Sequence, residues 1–295
     1  MPDGRTIHYG LDVATTGEWA DPNVLVELAV AAEAAGWDGF FVWDILLPAG
    51  DETTPVADPW IALAAIAART ERIRIGALVT PLPRRQPWIV AKQVASLDVL
   101  SGGRVIFGAG IGWKAEEFTQ FGRNADPALR AEQLEEALAI LDAAWRGERL
   151  DFEGRHYTVR DVALHPVPVQ RPGPPVWLAA GWPHRRPLQR AARGDGVYLM
   201  TDNQATRERL TPADVREAVA ALQALRPDLS AFDVAANTDT AALPEADAAA
   251  SVQALAEAGA TWLVELTPDT LDEHRALIAR GPVPPGVRAP SASGR

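Results

Sequence analysis

The chain has 295 residues, 47% of them hydrophobic, and a formal net charge of −11: ample material for a large core, but without the clustered Lys and Arg that nucleic acid or an anionic membrane would require. It contains no cysteine, which excludes disulfides, thiolate metal sites and a cysteine nucleophile and fits a cytoplasmic protein. No charged n-region with an apolar core opens the sequence, and no run of about 18 uninterrupted apolar residues could span a bilayer.

Ile7 to Val13 reads as a first strand. Asp21-Pro22 starts the first helix with an N-cap and a proline at its first position; Leu25, Leu28, Ala32 and Ala35 follow at helical spacing and Gly36 closes it. Gly39 to Trp43 is the second strand, Asp58-Pro59 opens a helix reaching Arg69, and Ile73 to Val79 is the third strand. Pro87 begins a helix with the apolar stripe Val90, Val94, Leu97, which ends at Leu100-Ser101-Gly102-Gly103, where a glycine pair allows positive φ. Arg104 then leads into the fourth strand, Val105 to Ala109, apolar throughout as expected of a parallel strand buried on both faces.

Leu134, Leu138, Leu141 and Trp145 mark the next helix. Leu150 to Tyr157 alternates around a turn and predicts a short hairpin inserted before the fifth strand, Val176 to Ala180. A helix from about His184 to Arg193, a strand Gly196 to Met200, a helix capped by Thr211-Pro212, a strand Phe232 to Ala236, a helix Ala248 to Ala258, a strand Trp262 to Leu266 and a helix Asp269 to Arg280 complete the alternation. Eight strand and helix pairs fit one (β/α)8 TIM barrel, a fold of about 250 residues plus insertions. We therefore expect a single domain over 1–281 and a disordered tail over 282–295, rich in Pro, Ser, Gly and Ala.

Barrel chemistry belongs at the C-terminal strand ends. Those ends carry Thr15, Trp43, Asp44, Val79, Thr80, Gly110 to Trp113, Gly181, Trp182, Met200 to Asp202, Asn237, Thr238 and Glu265 to Thr267. Thr15, Trp43 and Glu265 are candidates for a substrate pocket. The five histidines show no metal-ligand spacing, so no metal is expected, and there is no G-x-S-x-G elbow. A broad aromatic rim suits an organic cofactor that brings the redox chemistry with it. Gly108, Gly110 and Gly112 either bare the backbone for a flat ligand or serve close packing, and the ten tryptophans either line a cavity or fill the core.

Phosphate donors are best represented by Gly181-Trp182-Pro183-His184-Arg185-Arg186, which opens a helix after a strand. The alternative is that Arg185 and Arg186 form a solvated helix face. Thr201, with Asp202 and Asn203, adds polar contacts. Asp44 is a candidate proton-handling group if burial raises its pKa, or else a rim aspartate bonded to backbone; His184 is the second candidate.

The segments LSGGR and GAGIGW, with AEAAGWDGFFVWD (Ala32 to Asp44), DPWIALAAIAARTERIRIGALVTP (Asp58 to Pro81) and PPVWLAAG (Pro174 to Gly181), resemble the bacterial-luciferase-like oxidoreductases. That family comprises FMN-dependent monooxygenases and coenzyme F420-dependent oxidoreductases on one barrel. The resemblance implies a ring bound at Gly110, Gly112 and Trp113, backed by a non-prolyl cis peptide at Leu78-Val79 or Val79-Thr80. It also implies a homodimer. Two departures stand out: Ile45 follows Asp44 where many relatives carry His, and Trp113 stands where F420-dependent sugar-phosphate dehydrogenases carry Glu. An alcohol oxidation relying on that pair is disfavoured. The first-ranked function is a monooxygenase that takes reduced FMN from a separate reductase and oxygenates a small apolar organic substrate. The alternatives are F420-dependent hydride transfer and a non-catalytic flavin-binding protein.

Overall fold

A computed structural model describes residues 6–201, 209–241 and 243–283. Asp202 and Asn203, named above, lie outside the described residues, as do 284–295 of the expected tail. Val283 is buried, so chain packed on the core extends past Gly281.

The strands are β1 His8–Val13, β2 Gly39–Val42, β3 Arg74–Ala77, β4 Thr80–Pro81, β5 Phe107–Gly110, β6 Leu150–Glu153, β7 Thr158–Val162, β8 Val176–Trp182, β9 Gly196–Thr201, β10 Asp233–Thr238 and β11 Trp262–Leu266. Nine of them form one sheet in the order β3-β2-β1-β11-β10-β9-β8-β5-β4. The sheet closes on itself: Ile75 of β3 bridges Val105 in parallel, and Ile106 donates its N–H to the Ile75 carbonyl at 2.9 Å. β3 and β4 are two pieces of one barrel strand, so the count is eight. The predicted strand Ile73 to Val79 is broken at Leu78 and Val79, whose connecting peptide bond is cis. β6 and β7 pair antiparallel as the inserted hairpin.

The helices are α1 Pro22–Ala34, α2 Pro59–Ala67, α3 Pro87–Ser101, α4 Glu116–Thr119, α5 Pro127–Arg146, α6 Arg185–Ala191, α7 Pro212–Leu225, α8 Glu245–Glu257 and α9 Leu271–Arg280. Three of them start at an Asp-Pro pair whose aspartate accepts from first-turn N–H groups, as Asp58 does from Trp60 and Ile61 at 2.9 and 3.0 Å. Thr211 and Thr270 form capping boxes with Asp214 and Glu273.

The barrel lumen is plugged. Phe41, Trp177 and Trp262 meet with ring centroids 5.2 to 5.9 Å apart. Gly39 makes room for them, since a Cβ there would lie 2.6 Å from Phe41 and 2.9 Å from Trp262. These tryptophans are therefore core, and no ligand can occupy the middle of the barrel.

Arg104, which closes the LSGGR segment, is buried and structural. Its guanidinium donates to the Ala67, Thr70, Ile73 and Ser101 carbonyls and the Thr70 hydroxyl, all at 2.8 to 2.9 Å, capping the C-terminal end of α2. A lysine has fewer donors and no planar fork. Arg104→Lys is expected to cost about 3 kcal/mol by leaving buried carbonyls unsatisfied, read as a lower urea midpoint with an unchanged m value.

Candidate active site

The C-terminal end of the barrel is built around the break between β3 and β4. Val79 leaves the sheet there and its side chain lies over Gly110; a Cβ on Gly110 would sit 2.8 Å from Val79 Cγ2 and 3.4 Å from Ala179 Cβ. Gly112 has φ of +79° and is covered by Phe118 and Pro81, 3.1 to 3.2 Å from the place of its absent Cβ. Of the two alternatives for these glycines, close packing holds: Val79 and Phe118 cover the backbone that a flat ligand was expected to meet directly. Trp113, next in sequence, is 59% exposed.

Asp44 ends the second barrel strand with its carboxylate fully buried and doubly paired. Arg85 donates to it through Nε at 2.9 Å and Nη2 at 2.7 Å, and Arg84 donates to the same carboxylate and to the Asp44 carbonyl. Arg84 also holds the buried Glu117 of α4, whose Oε1 accepts from the Leu46 and Leu47 N–H groups at 2.7 and 3.1 Å. Lys114 adds bonds to the Leu47 and Pro48 carbonyls at 2.9 and 2.6 Å. Arg130 donates to the Gly112 carbonyl at 2.8 Å and lies over the Phe118 ring. The loops after β2, β4 and β5 are thereby stapled into one wall. Asp44 was expected either to handle protons or to bond to rim backbone; both its carboxylate oxygens are instead engaged by guanidinium groups.

A carboxylate that faces the lumen near the C-terminal end of its strand is Asp12, the last residue but one of β1. Its Oδ2 accepts from the Tyr198 hydroxyl across the barrel at 2.7 Å, and its Oδ1 has no hydrogen-bond partner among the described residues. Burial pushes its pKa up to about 7; the Tyr198 hydroxyl, and the Trp43 indole lying outside hydrogen-bond geometry, pull the other way. Burial and the charge of Asp12 together hold the Tyr198 phenol well above its usual range. The signal was available: an aspartate in the apolar end of β1, between Leu11 and Val13 and two residues from Gly10, so on the same face as that glycine.

The remaining candidates are spread around the rim. Thr15 is fully buried and donates to the Trp43 carbonyl at 3.2 Å. Glu265 points outward from β11, accepting from the Thr240 N–H at 2.8 Å and from its hydroxyl; it joins the β10 exit to α9 instead of lining a lumen pocket. Gly181 and Trp182 pair with Met200 and Thr201, and Trp182 packs in the outer layer under the Arg185 guanidinium, 5.0 Å from its ring. His184 is the N-cap of α6, and it, Arg185 and Arg186 are all exposed.

The luciferase-like monooxygenase profile matches residues 6–281. The chain belongs to that family. Its sequence is 34% identical over 212 residues to the F420-dependent glucose-6-phosphate dehydrogenase of Microbacterium testaceum, covering 70% of this chain but 62% of that protein. This luciferase-like chain thus spans a little under two thirds of the length of that relative. An F420-dependent secondary alcohol dehydrogenase solved with an F420-acetone adduct superposes with a TM-score of 0.79 at 17% identity, over 96% of this chain and 100% of that one. The oxygenating constituent of 3,6-diketocamphane monooxygenase from Pseudomonas putida, in complex with FMN, gives 0.64 at 17% identity over 84% and 71%. At such identities the superpositions establish the fold, a luciferase-like barrel.

Four buried polar atoms toward the C-terminal ends of the barrel strands lack protein partners among the described residues: Asp12 Oδ1, Thr80 Oγ1, Asn237 Oδ1 and Thr238 Oγ1. Buried groups of this kind are ordinarily satisfied, and their placement on three strands fits a heterocycle with polar edges.

Proposed function

We propose that the protein is an F420-dependent oxidoreductase moving a hydride to or from a small organic substrate. The observation that carries this is the 34% identity over 212 residues to a protein named for F420. The departures at Ile45 and Trp113 keep the proposal from extending to glucose 6-phosphate. The FMN monooxygenase expected first from the sequence has the description of the family profile and fold likeness to an FMN-bound monooxygenase behind it, and ranks second.

When bound, the deazaflavin supplies a two-electron hydride acceptor or donor. Val79, which covers Gly110, and Thr80 back its ring. Gly181, Arg185, Arg186 and Thr201 hold its phosphate end, and Asp12 keeps a proton beside the lumen. A homodimer through the exposed Ile61 of α2 and Ile89 of α3 completes the picture, with sedimentation mass as its check.

Titration of the purified protein with F420 and, separately, with FMN tests the proposal. Saturable perturbation of the F420 absorbance is expected, weakened about tenfold in an Arg185→Ala/Arg186→Ala variant, the equivalent of two charge-assisted bonds to phosphate at a solvated site. Tight FMN binding without F420 binding would defeat it.

A further inference from the structure

Beyond its aromatic plug the lumen is open toward the C-terminal mouth. Phe41, Trp177, Tyr198, Ala235 and Trp262 are buried, whereas Ala179, Met200, Asn237 and Leu266, two or four residues further along the same strands, are half-buried. Side chains two or four residues apart on a strand face the same way, so the exposure of these four is exposure to the mouth. Val79, also half-buried, packs with Met200 onto the lumen cluster from the break between β3 and β4. The result is a bowl whose wall is apolar apart from Asn237.

Its floor is polar. Asp12 is level with Leu266 in the pairing of β1 with β11, and Asn237 is level with Val264 in that of β10 with β11, so the two flank one strand. Both reach the Tyr198 phenol. Its hydroxyl donates to Asp12 Oδ2 at 2.7 Å, and the Asn237 amide acts on it as a donor, drawing its pKa down. Each side chain thereby spends one polar atom on Tyr198. The other atoms, Asp12 Oδ1 and Asn237 Oδ1, are buried and without a partner among the described residues. Two open oxygens that flank one hydroxyl beneath an apolar wall call for a ligand with a polar edge.

The two oxygens differ in what they offer. Burial pushes the Asp12 carboxyl up to about 7, against the Tyr198 phenol and the Trp43 indole that face it; the Arg209 guanidinium, which acts on Tyr198, is paired with Asp239. Near neutral pH the carboxyl can therefore donate through its own O–H, whereas an amide oxygen only accepts. A donor beside an acceptor is the complement of a ring carbonyl beside a ring N–H.

We infer that Asp12 and Asn237 are the recognition pair for the cyclic-amide edge of the bound ring, the neutral Asp12 carboxyl donating to a ring carbonyl and Asn237 Oδ1 accepting from the neighbouring N–H. This rests on the proposed function only in naming F420, since FMN carries the same edge. A ring that closes the bowl removes the remaining water from Asp12 and so disfavours its ionised form. Binding then takes up a proton wherever the empty site is ionised, and affinity falls as pH rises above 7.

The test is calorimetric titration of the full chain with F420 and, separately, with FMN, in two buffers of different ionisation enthalpy, at pH 6 and 7.5. For the ligand that binds, uptake of between about one half and one proton is expected at pH 7.5. Asp12→Asn keeps the shape and can still donate through its amide, so at pH 6 it should bind within about threefold of wild type while losing that uptake; subtracting its value also removes any proton exchanged by the ligand itself. Asn237→Ala should bind about tenfold more weakly, the equivalent of one lost hydrogen bond, with the uptake unchanged. Equal proton uptake in wild type and Asp12→Asn, or Asn237→Ala binding within twofold of wild type, would overturn the inference and leave the two oxygens to water. Strong F420 binding with either result sinks the inference alone. FMN binding with the Asp12-dependent uptake, and no F420 binding, retains the recognition pair and removes the F420 reading, and binding of neither removes both.

Discussion

Arg84→Met should destabilise the fold by about 3 to 5 kcal/mol, the range found when one member of a buried ion-pair cluster is removed. The cost falls unequally on the two partners. Asp44 keeps Arg85, which bonds it through both Nε and Nη2. Glu117, 4% exposed at its side chain, keeps only the two backbone N–H groups on Oε1 and is left with a buried, bare Oε2. Adding Glu117→Gln to Arg84→Met should therefore recover most of the loss, and adding Asp44→Asn much less. Urea unfolding of the three variants decides it; equal recovery from the two second changes would show that the cluster does not divide as the bonds indicate. Loss of Arg84 also frees the loop after β2, so F420 affinity should fall in parallel with stability.

The second large effect concerns pH. With Asp12 near 7 in the fold and about 3.8 when unfolded, the native state binds the extra proton between these values, so stability falls as pH rises from about 4 to 7. The full penalty, reached above 7, is on the order of 4 kcal/mol. His274 acts in the opposite sense. It is buried, accepts from the Trp19 indole at 2.9 Å, and has its pKa lowered by burial from 6.5 to about 4. The unfolded chain binds the extra proton there, so stability rises over the same span by about 3 kcal/mol. In the wild type the two slopes largely cancel between pH 4 and 6.5. Asp12→Asn should uncover the histidine slope and raise stability at pH 8, while His274→Gln should uncover the aspartate slope, with stability declining from pH 4 to 7. Denaturant midpoints at half-unit pH steps check both; parallel profiles for the two variants would show that neither group titrates as its surroundings dictate.

The parts legible in the sequence are those whose physics is local. Asp58-Pro59 specifies a helix start because the capping carboxylate and the N–H groups it serves are two and three residues apart. Gly102 and Gly103 end α3 because both take positive φ, and the alternation of strands with helices, together with apolar runs such as Val105 to Ala109, points to parallel pairing whatever the partners. The site was legible only as a rim. Asp44, Arg84 and Glu117 are separated by 40 and 33 residues, and nothing in the local pattern of any of them records the other two. Asp12 and Tyr198 are 186 residues apart and meet because closure of the sheet brings β1 and β9 to opposite sides of one lumen.

The sequence by itself determined an eight-stranded barrel, the order of its elements and which strand ends form its mouth, because helix caps, turns and apolar periodicity act over a few residues; its luciferase-like character came from the resemblance of segments such as LSGGR and GAGIGW. Only the tertiary structure decided which carboxylate is locked in ion pairs, which one faces the lumen with an open oxygen, and that Val79 rather than bare glycine forms the surface at Gly110. Charge pairing and burial depend on distances through space, and those distances exist only once the barrel has closed.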